Sequence, residues 1–171
     1  MKTYLMVGLC LGILHTTTAQ NDMAAVTNYN VAKSSKTMVK ANSDYRNSID
    51  TQIMAARALK LRDLVANYDL ESSEVYNPKE ASTYTVHFKE GDNKVEATYD
   101  TNGNIIQCKE SYKDIRLPLN VSQQLIKDHP GYYIGDVTCK VTYNAQTETK
   151  VINYKVELLT PTNRKVVRLQ L

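Results

Sequence analysis

Glycine, histidine and tryptophan are scarce in this sequence, which limits the chemistry that the chain can perform. Its 171 residues include no tryptophan, one phenylalanine, six glycines and three histidines. Beyond residue 19 the glycines are Gly91, Gly103, Gly131 and Gly135, and they lie in two predicted hairpin turns, at a predicted helix end and before a strand. Nucleotide-binding enzymes need closely spaced glycines at a helix N-terminus to hold phosphate. The sequence shows no loop of that kind.

The few histidines and cysteines form none of the usual catalytic or metal-binding patterns. His87 lies on the polar side of a predicted strand and is interpreted as a solvated residue, whereas His129 ends a predicted helix and can interact with its dipole. A zinc site needs more ligands at short spacing. No Ser-His-Asp or Cys-His set and no Cys-x-x-Cys pair is indicated. We predict no catalytic residues, no cofactor and no metal, and expect that the protein is not an enzyme.

Charge of one sign is not in large excess, and long apolar runs are missing. Lysine and arginine number 21 against 18 acidic residues, for a formal net charge of +3, and the two signs are interspersed. This balance does not predict a nucleic-acid partner. The apolar run from Leu5 to Leu14 is too short to span a membrane, so we expect no stable membrane insertion once the leader is removed.

The N-terminus has the pattern of a secretory signal peptide over residues 1–19. Lys2 supplies the positive start, the apolar run follows, and Thr17-Thr18-Ala19 offers small residues before a cut at Gln20. We therefore expect an exported protein, periplasmic or extracellular. Residues 20–47 are polar without a sustained period, and we predict a flexible arm there.

Alternating apolar residues are the main signal of structure in the rest of the chain. Tyr84, Val86 and Phe88 alternate with polar residues, which predicts a strand with one apolar face. Turns at 90–93 and 100–104 connect it to two further strands, whose apolar rows are Val95, Ala97 and Tyr99, and then Ile106, Cys108 and Tyr112. Twelve tyrosines suit such half-buried sheet surfaces, and they also suit binding faces.

Two predicted helices each precede a group of three strands. The first runs from Ser48 or Asp50 to about Asn67, with its charged side chains facing water: Arg57, Lys60, Arg62 and Asp63. The second begins after Leu117-Pro118, and strands within residues 137–171 follow it. This order predicts an α+β fold, an antiparallel sheet with helices packed on one face. We predict that residues 48–171 form one domain of two tandem helix-plus-three-strand units, 48–113 and 117–171.

Cys108 and Cys139 fall on the apolar phase of their predicted strands, one in each unit. In an oxidising compartment two inward cysteines can form a disulfide, provided that their Cα atoms lie within about 7 Å of each other. The alternative is a pair of buried free thiols that pack as small hydrophobic side chains. The sequence leaves both possibilities open.

The polar face of the sheet is the remaining candidate for function. If the helices cover only one side, this second face is broad and open to a partner. Its predicted residues are Thr85, His87, Lys89, Lys94, Glu96, Thr98, Gln107, Lys109, Lys140, Thr142, Asn153 and Lys155. The alternative is a solvated surface without a partner.

Two sets of residues resemble those of known families. Leu117-Pro118, Val121, Ile126 and His129-Pro130-Gly131-Tyr132, followed by paired strands, resemble the PepSY-like proteins, whose fold is related to that of the β-lactamase inhibitor protein. The stretch 65–70, VANYDL, with 84–86 and 99–104 resembles a narrower family of small secreted bacterial proteins of unknown function. The resemblance covers about residues 49–171. It implies a helix and an antiparallel sheet in each unit and a non-catalytic binding or inhibitory role.

Three hypotheses for function follow from these observations. The first is a secreted or periplasmic non-catalytic binding module that engages an envelope or extracellular protein or peptide through the open sheet face. The second is a structural or stress-related envelope protein without a fixed partner. The third is a nicotinate-nucleotide adenylyltransferase, a name that some members of the narrower family bear. The scattered glycines and the hairpin pattern of the strands argue against it.

Overall fold

A computed structural model of the chain describes residues 23–26, 42–50, 54–74, 76–77, 79 and 82–171. Its framework is a sheet in which the strands lie in the order of the sequence. Six of these strands each run antiparallel to the next. These strands are β2 (Thr83–Glu90), β3 (Asn93–Asp100), β4 (Ile105–Lys113), β5 (Tyr133–Asn144), β6 (Thr149–Leu159) and β7 (Arg164–Gln170). A short strand, β1 (Met23–Val26), pairs in parallel with β2.

Three helices accompany the sheet in the described part of the chain: α1 (Ser43–Asn47), α2 (Ala56–Ala66) and α3 (Leu119–Asp128). α2 packs against β2 and β3, and α3 packs against β5. Tyr45 of α1, Val65 of α2 and Leu125 of α3 lie in one buried cluster with the inward side chains of the strands. The predicted α+β class with an antiparallel sheet is confirmed.

The hairpins from β2 to β4 form where the sequence predicts them. Gly91 and Gly103 occupy the turns with φ of 59° and 77°, a left-handed conformation that glycine adopts without steric cost. In the second turn one Asp100 carboxylate oxygen accepts the backbone N–H groups of Asn102 and Asn104, at 2.9 and 2.8 Å. Because these hydrogen bonds are local, the turns can be predicted from the sequence.

One position in the predicted apolar row of β4 is wrong. The register of β3 and β4 shifts next to Tyr99, which faces Ile105, while Thr98 faces Gln107. Ile106 is therefore the extra residue of a bulge and is only half-buried, and Ile105 takes the inward position. Cys108 and Tyr112 are inward and buried, as predicted.

The predicted start of the first helix is also wrong, and so is the outward placement of Arg62. α2 begins at Ala56, and Ser48 instead follows the last turn of α1, where its hydroxyl donates to the Tyr45 carbonyl oxygen at 2.6 Å. Arg62 is 2% exposed because it meets a carboxylate of the sheet inside the core. The apolar residues of this helix are irregularly spaced, so their pattern did not identify Arg62 as an inward residue.

The interpretation of residues 20–47 as a polar arm does not hold for its last six residues. Asn42 is the residue before α1, and Tyr45 of that helix is 1% exposed. Residues 23–26, in the same range, form β1. The predicted signal peptide at 1–19 and the rest of the arm lie outside the described residues.

Candidate functional site: the open face of the sheet

The face of the sheet that points away from the helices is polar and is called the open face. In β2, for example, Thr85, His87 and Lys89 alternate with buried residues and remain accessible. The pairing registers of β2 to β6 place every residue predicted for this face on the same side. The residues so assembled are Thr85, His87, Lys89, Lys94, Glu96, Thr98, Gln107, Lys109, Lys140, Thr142, Asn153 and Lys155.

Rows of residues that cross the strands divide the open face by charge. The first row is neutral and contains Thr85 and Thr98, whose hydroxyl oxygens are 3.2 Å apart, followed by Gln107. In the second row, which is next along the strands, the charges of Glu96 and Lys109 compensate each other, because Glu96 accepts a hydrogen bond from Lys109 at 3.0 Å. His87 faces Glu96 in this row, with 3.8 Å between Nδ1 and the nearer carboxylate oxygen.

The next two rows are strongly basic. Lys89 faces Lys94 directly across β2 and β3, and Lys155 faces Arg168 across β6 and β7. Lys140 of β5 lies between these two pairs, opposite Asn153. We call these five residues the basic band. Like charges directly opposite in a sheet are unfavourable for stability, so the band is not explained by the needs of the fold.

Three acidic residues near the band are engaged elsewhere. Glu96 pairs with Lys109, Asp92 lies 3.2 Å from Lys113, and Glu157 pairs with Arg164. In the described residues, no carboxylate forms an ion pair with any member of the basic band. The band therefore presents uncompensated positive charge to solvent.

Two shallow hollows lie side by side on the open face, with volumes of about 520 and 540 Å³. Lys94 borders the first, Lys155 and Arg168 border the second, and Lys140 borders both. Arg168 is not among the residues predicted for this face, because the sequence pattern of β7 was not assigned to inward and outward positions. Arg168 stands between the apolar residues Val167 and Leu169, and this local alternation was the signal that could have identified it.

A buried ion pair lies directly behind the open face. Glu110 occupies an inward position of β4, opposite Val95 and Val141, and both its carboxylate oxygens accept hydrogen bonds from Arg62 Nη1, at 2.5 and 2.6 Å. The Tyr112 hydroxyl donates to the same carboxylate at 2.5 Å. The ion pair links α2 to the middle of the sheet.

Further contacts complete the surroundings of Arg62. Its Nη2 donates to the Tyr45 carbonyl oxygen and, at 2.9 Å, to the Ser48 hydroxyl, and its guanidinium lies 4.3 Å from the centre of the Tyr45 ring. Burial acts to lower the pKa of Arg62, but the adjacent Glu110 carboxylate and the nearby phenols outweigh it, and the pKa is raised. Burial, and then the charge of Glu110, raise the pKa of Tyr112. Through these contacts the cluster joins α1, α2 and β4, which indicates a structural role.

The two cysteines are buried free thiols. Cys108 faces Tyr143 across β4 and β5, whereas Cys139 faces Tyr112. They are thus offset by four residues along neighbouring strands, or about 13 Å at about 3.3 Å per residue, which exceeds the reach of a disulfide. Of the two possibilities that the sequence left open, the structure has the free thiols. Burial raises the pKa of Cys139 to about 12 and raises that of Cys108 as well.

The described histidines are well separated. His87 is part of the open face, and His129 lies at the end of α3, with its Nδ1 3.5 Å from Lys165 Nζ. Over the described ranges, no cluster of three or more His, Cys, Asp or Glu side chains has the arrangement of a metal site. None of the described helices combines the length and the apolar character that crossing a membrane requires.

No protein-family model, no curated protein and no solved structure matches this chain.

Proposed function

We propose that the protein is an exported, non-catalytic binding module that engages an envelope or extracellular protein or peptide through the open face of its sheet. The observation that carries this proposal is the basic band, in which Lys89 faces Lys94 and Lys155 faces Arg168, with no ion-pair partner for any of them among the described residues. Such pairs cost stability in the free protein. A bound partner gives them a role that the fold alone does not.

The finer organisation of the fold is part of this proposal. The order α2–β2–β3–β4 followed by α3–β5–β6–β7 supports two tandem helix-plus-three-strand units, 48–113 and 117–171. The same order supports membership of the PepSY-like proteins. Their relative, the β-lactamase inhibitor protein, binds its target with a sheet surface. Export is supported by the leader-like sequence at 1–19.

Site-specific photo-crosslinking tests the proposal. A photoreactive amino acid at Thr142 reports on contacts of the open face, and the same amino acid at Gln123 of α3 is the matched control, because both positions are exposed. The chain is expressed in full in its host, and crosslinked proteins are identified by mass spectrometry. We expect a defined protein to be crosslinked from Thr142 and not from Gln123.

Two other outcomes contradict the proposal. Crosslinking from Gln123 alone moves the binding site to the helices. Crosslinking from neither position favours a structural or stress-related envelope protein without a fixed partner.

A further inference from the structure

The positive charge of the open face is confined to one band, while the rest of the face is neutral or self-compensated. Lys109 shows that this surface can neutralise a lysine, since Glu96 lies 3.0 Å from it. The band has no such partner among the described residues. Building on the function proposed above, we infer that the partner presents an extended acidic polypeptide segment that lies across the strands along the basic band.

The dimensions of the band suit such a segment. Its members run from Lys89 on β2 to Arg168 on β7, and so they cross five gaps between neighbouring strands. At about 4.8 Å per gap the band is about 24 Å long, which an extended chain covers with about seven residues. Every second side chain of that segment points toward the sheet, so alternating carboxylates face the band.

The uncharged neighbours of the band favour a polypeptide over other polyanions. Ser111 and Asn153 lie in the row of Lys89, Lys94 and Lys140. Hydroxyl and amide groups can pair with the backbone of a bound segment. Among the described residues, the two rows of the open face that hold the band contain no aromatic side chain on which a nucleic-acid base could stack. The same rows contain no apolar side chain to insert between lipids.

Defined peptides test the inference with the full-length protein. The probe is a fluorescent peptide of about seven residues with alternating glutamate and glycine, matched by a peptide with glutamine in place of glutamate. Binding is measured by fluorescence anisotropy at low and at physiological ionic strength. Vesicles of phosphatidylglycerol and a single-stranded oligonucleotide serve as competitors of other chemistry.

The band variant is K94E/K155E, and the control variant is K60E/K127E, which reverses two exposed lysines of α2 and α3 and changes the net charge equally. We expect the glutamate peptide to bind the parent protein and the control variant alike, more weakly as salt is added. The band variant should bind it about tenfold more weakly, because several exposed charge contacts are lost together. The glutamine peptide should not bind.

Four results would overturn the inference: equal binding of both peptides, equal binding by the parent and the band variant, equal losses in the band and control variants, or tighter binding of the vesicles or the oligonucleotide. The test is separable from that of the proposed function. If a partner is still crosslinked from Thr142 while the glutamate peptide fails to bind, the acidic segment alone is wrong. If both experiments fail, the binding function is wrong as well.

Discussion

Arg62 of α2 and Glu110 of β4 form an ion pair in the core, with Nη1 at 2.5 and 2.6 Å from the two carboxylate oxygens and both side chains almost fully buried. A charge removed from water is tolerated only when its partners are complete. Here the Tyr112 hydroxyl, the Tyr45 carbonyl and the Ser48 hydroxyl supply the remaining hydrogen bonds. The pair and its hydrogen bonds therefore join α1 and α2 to the sheet.

Removal of one partner should be far more damaging than removal of both. Glu110→Gln leaves the guanidinium uncompensated and should lower the free energy of unfolding by about 3–5 kcal/mol, whereas Arg62→Met with Glu110→Leu should recover most of that loss. Asp63→Asn, at the partly exposed pair of Arg46 and Asp63, is the matched control and should cost at most about 1 kcal/mol. Urea unfolding measures all three. A double variant no more stable than Glu110→Gln would contradict the argument.

Asn42 should contribute to stability through three hydrogen bonds at the start of α1. Its Nδ2 donates to the carbonyl oxygens of Ala66 and Gly103, at 3.1 and 3.2 Å, and its Oδ1 accepts from the Ile105 N–H at 2.7 Å. Its φ of 59° is also one that asparagine tolerates well. We expect Asn42→Ala to lower the free energy of unfolding by about 1–3 kcal/mol.

Asn42→Asp separates these contributions, because aspartate keeps the acceptor oxygen and tolerates the same backbone conformation but loses both donated bonds. Its loss of stability should therefore reflect the two lost bonds, together with the repulsion between the new carboxylate oxygen and the carbonyl oxygens of Ala66 and Gly103. If Asn42→Asp were as stable as the parent protein in urea, the side-chain donor bonds would not contribute.

The buried thiols should make the protein less stable as the pH rises above 9. The pKa of Cys139 is raised by burial from 9.0 to about 12, and that of Cys108 is raised in the same direction. Above the ordinary value the unfolded chain releases these protons and the folded protein keeps them, so the free energy of unfolding falls with pH. The slope approaches about 1.4 kcal/mol per pH unit for each thiol.

Urea unfolding between pH 9 and 10 measures this dependence, because the buried tyrosines, with an ordinary pKa of 10.0, add an effect of the same sign at higher pH. The double variant Cys108→Ala with Cys139→Ala is the control. Its free energy of unfolding should change less steeply over this range. Equal slopes in the parent protein and the double variant would show that the thiols are not the cause.

Local patterns made much of the sheet predictable. Contacts between residues far apart in the sequence could not be predicted in the same way. Tyr84, Val86 and Phe88 alternate with polar residues, and this period of two is visible in a short window of sequence. Arg62 was expected to face water because an arginine is stable in the core only beside a carboxylate. That carboxylate lies 48 residues away in the sequence, where no local pattern connects the two. Glu110 carried a weak signal, since it shares the inward phase of Cys108 and Tyr112.

The same distinction applies to the open face. The phase of each strand predicted that lysines of β2, β3, β4, β5 and β6 share one side, but only the register shows which of them face each other. Lys155 faces Arg168 because β6 pairs antiparallel with β7 at that position. The short helix α1 was missed because its five residues are too few to show a helical period.

Charge reversal within the basic band should stabilise the free protein while it weakens binding. Lys94→Glu places a carboxylate opposite Lys89, and Lys155→Glu places one opposite Arg168, so each change converts a repulsive pair into an attractive one. Each should raise the free energy of unfolding by about 0.2–1 kcal/mol. Lys113→Glu, which would lose its contact with Asp92, is the control and should not stabilise. Urea midpoints at unchanged slope measure the effect. If both band variants were less stable than the parent protein, the lysines would have a structural role, and the argument that the band is present for a partner would fail.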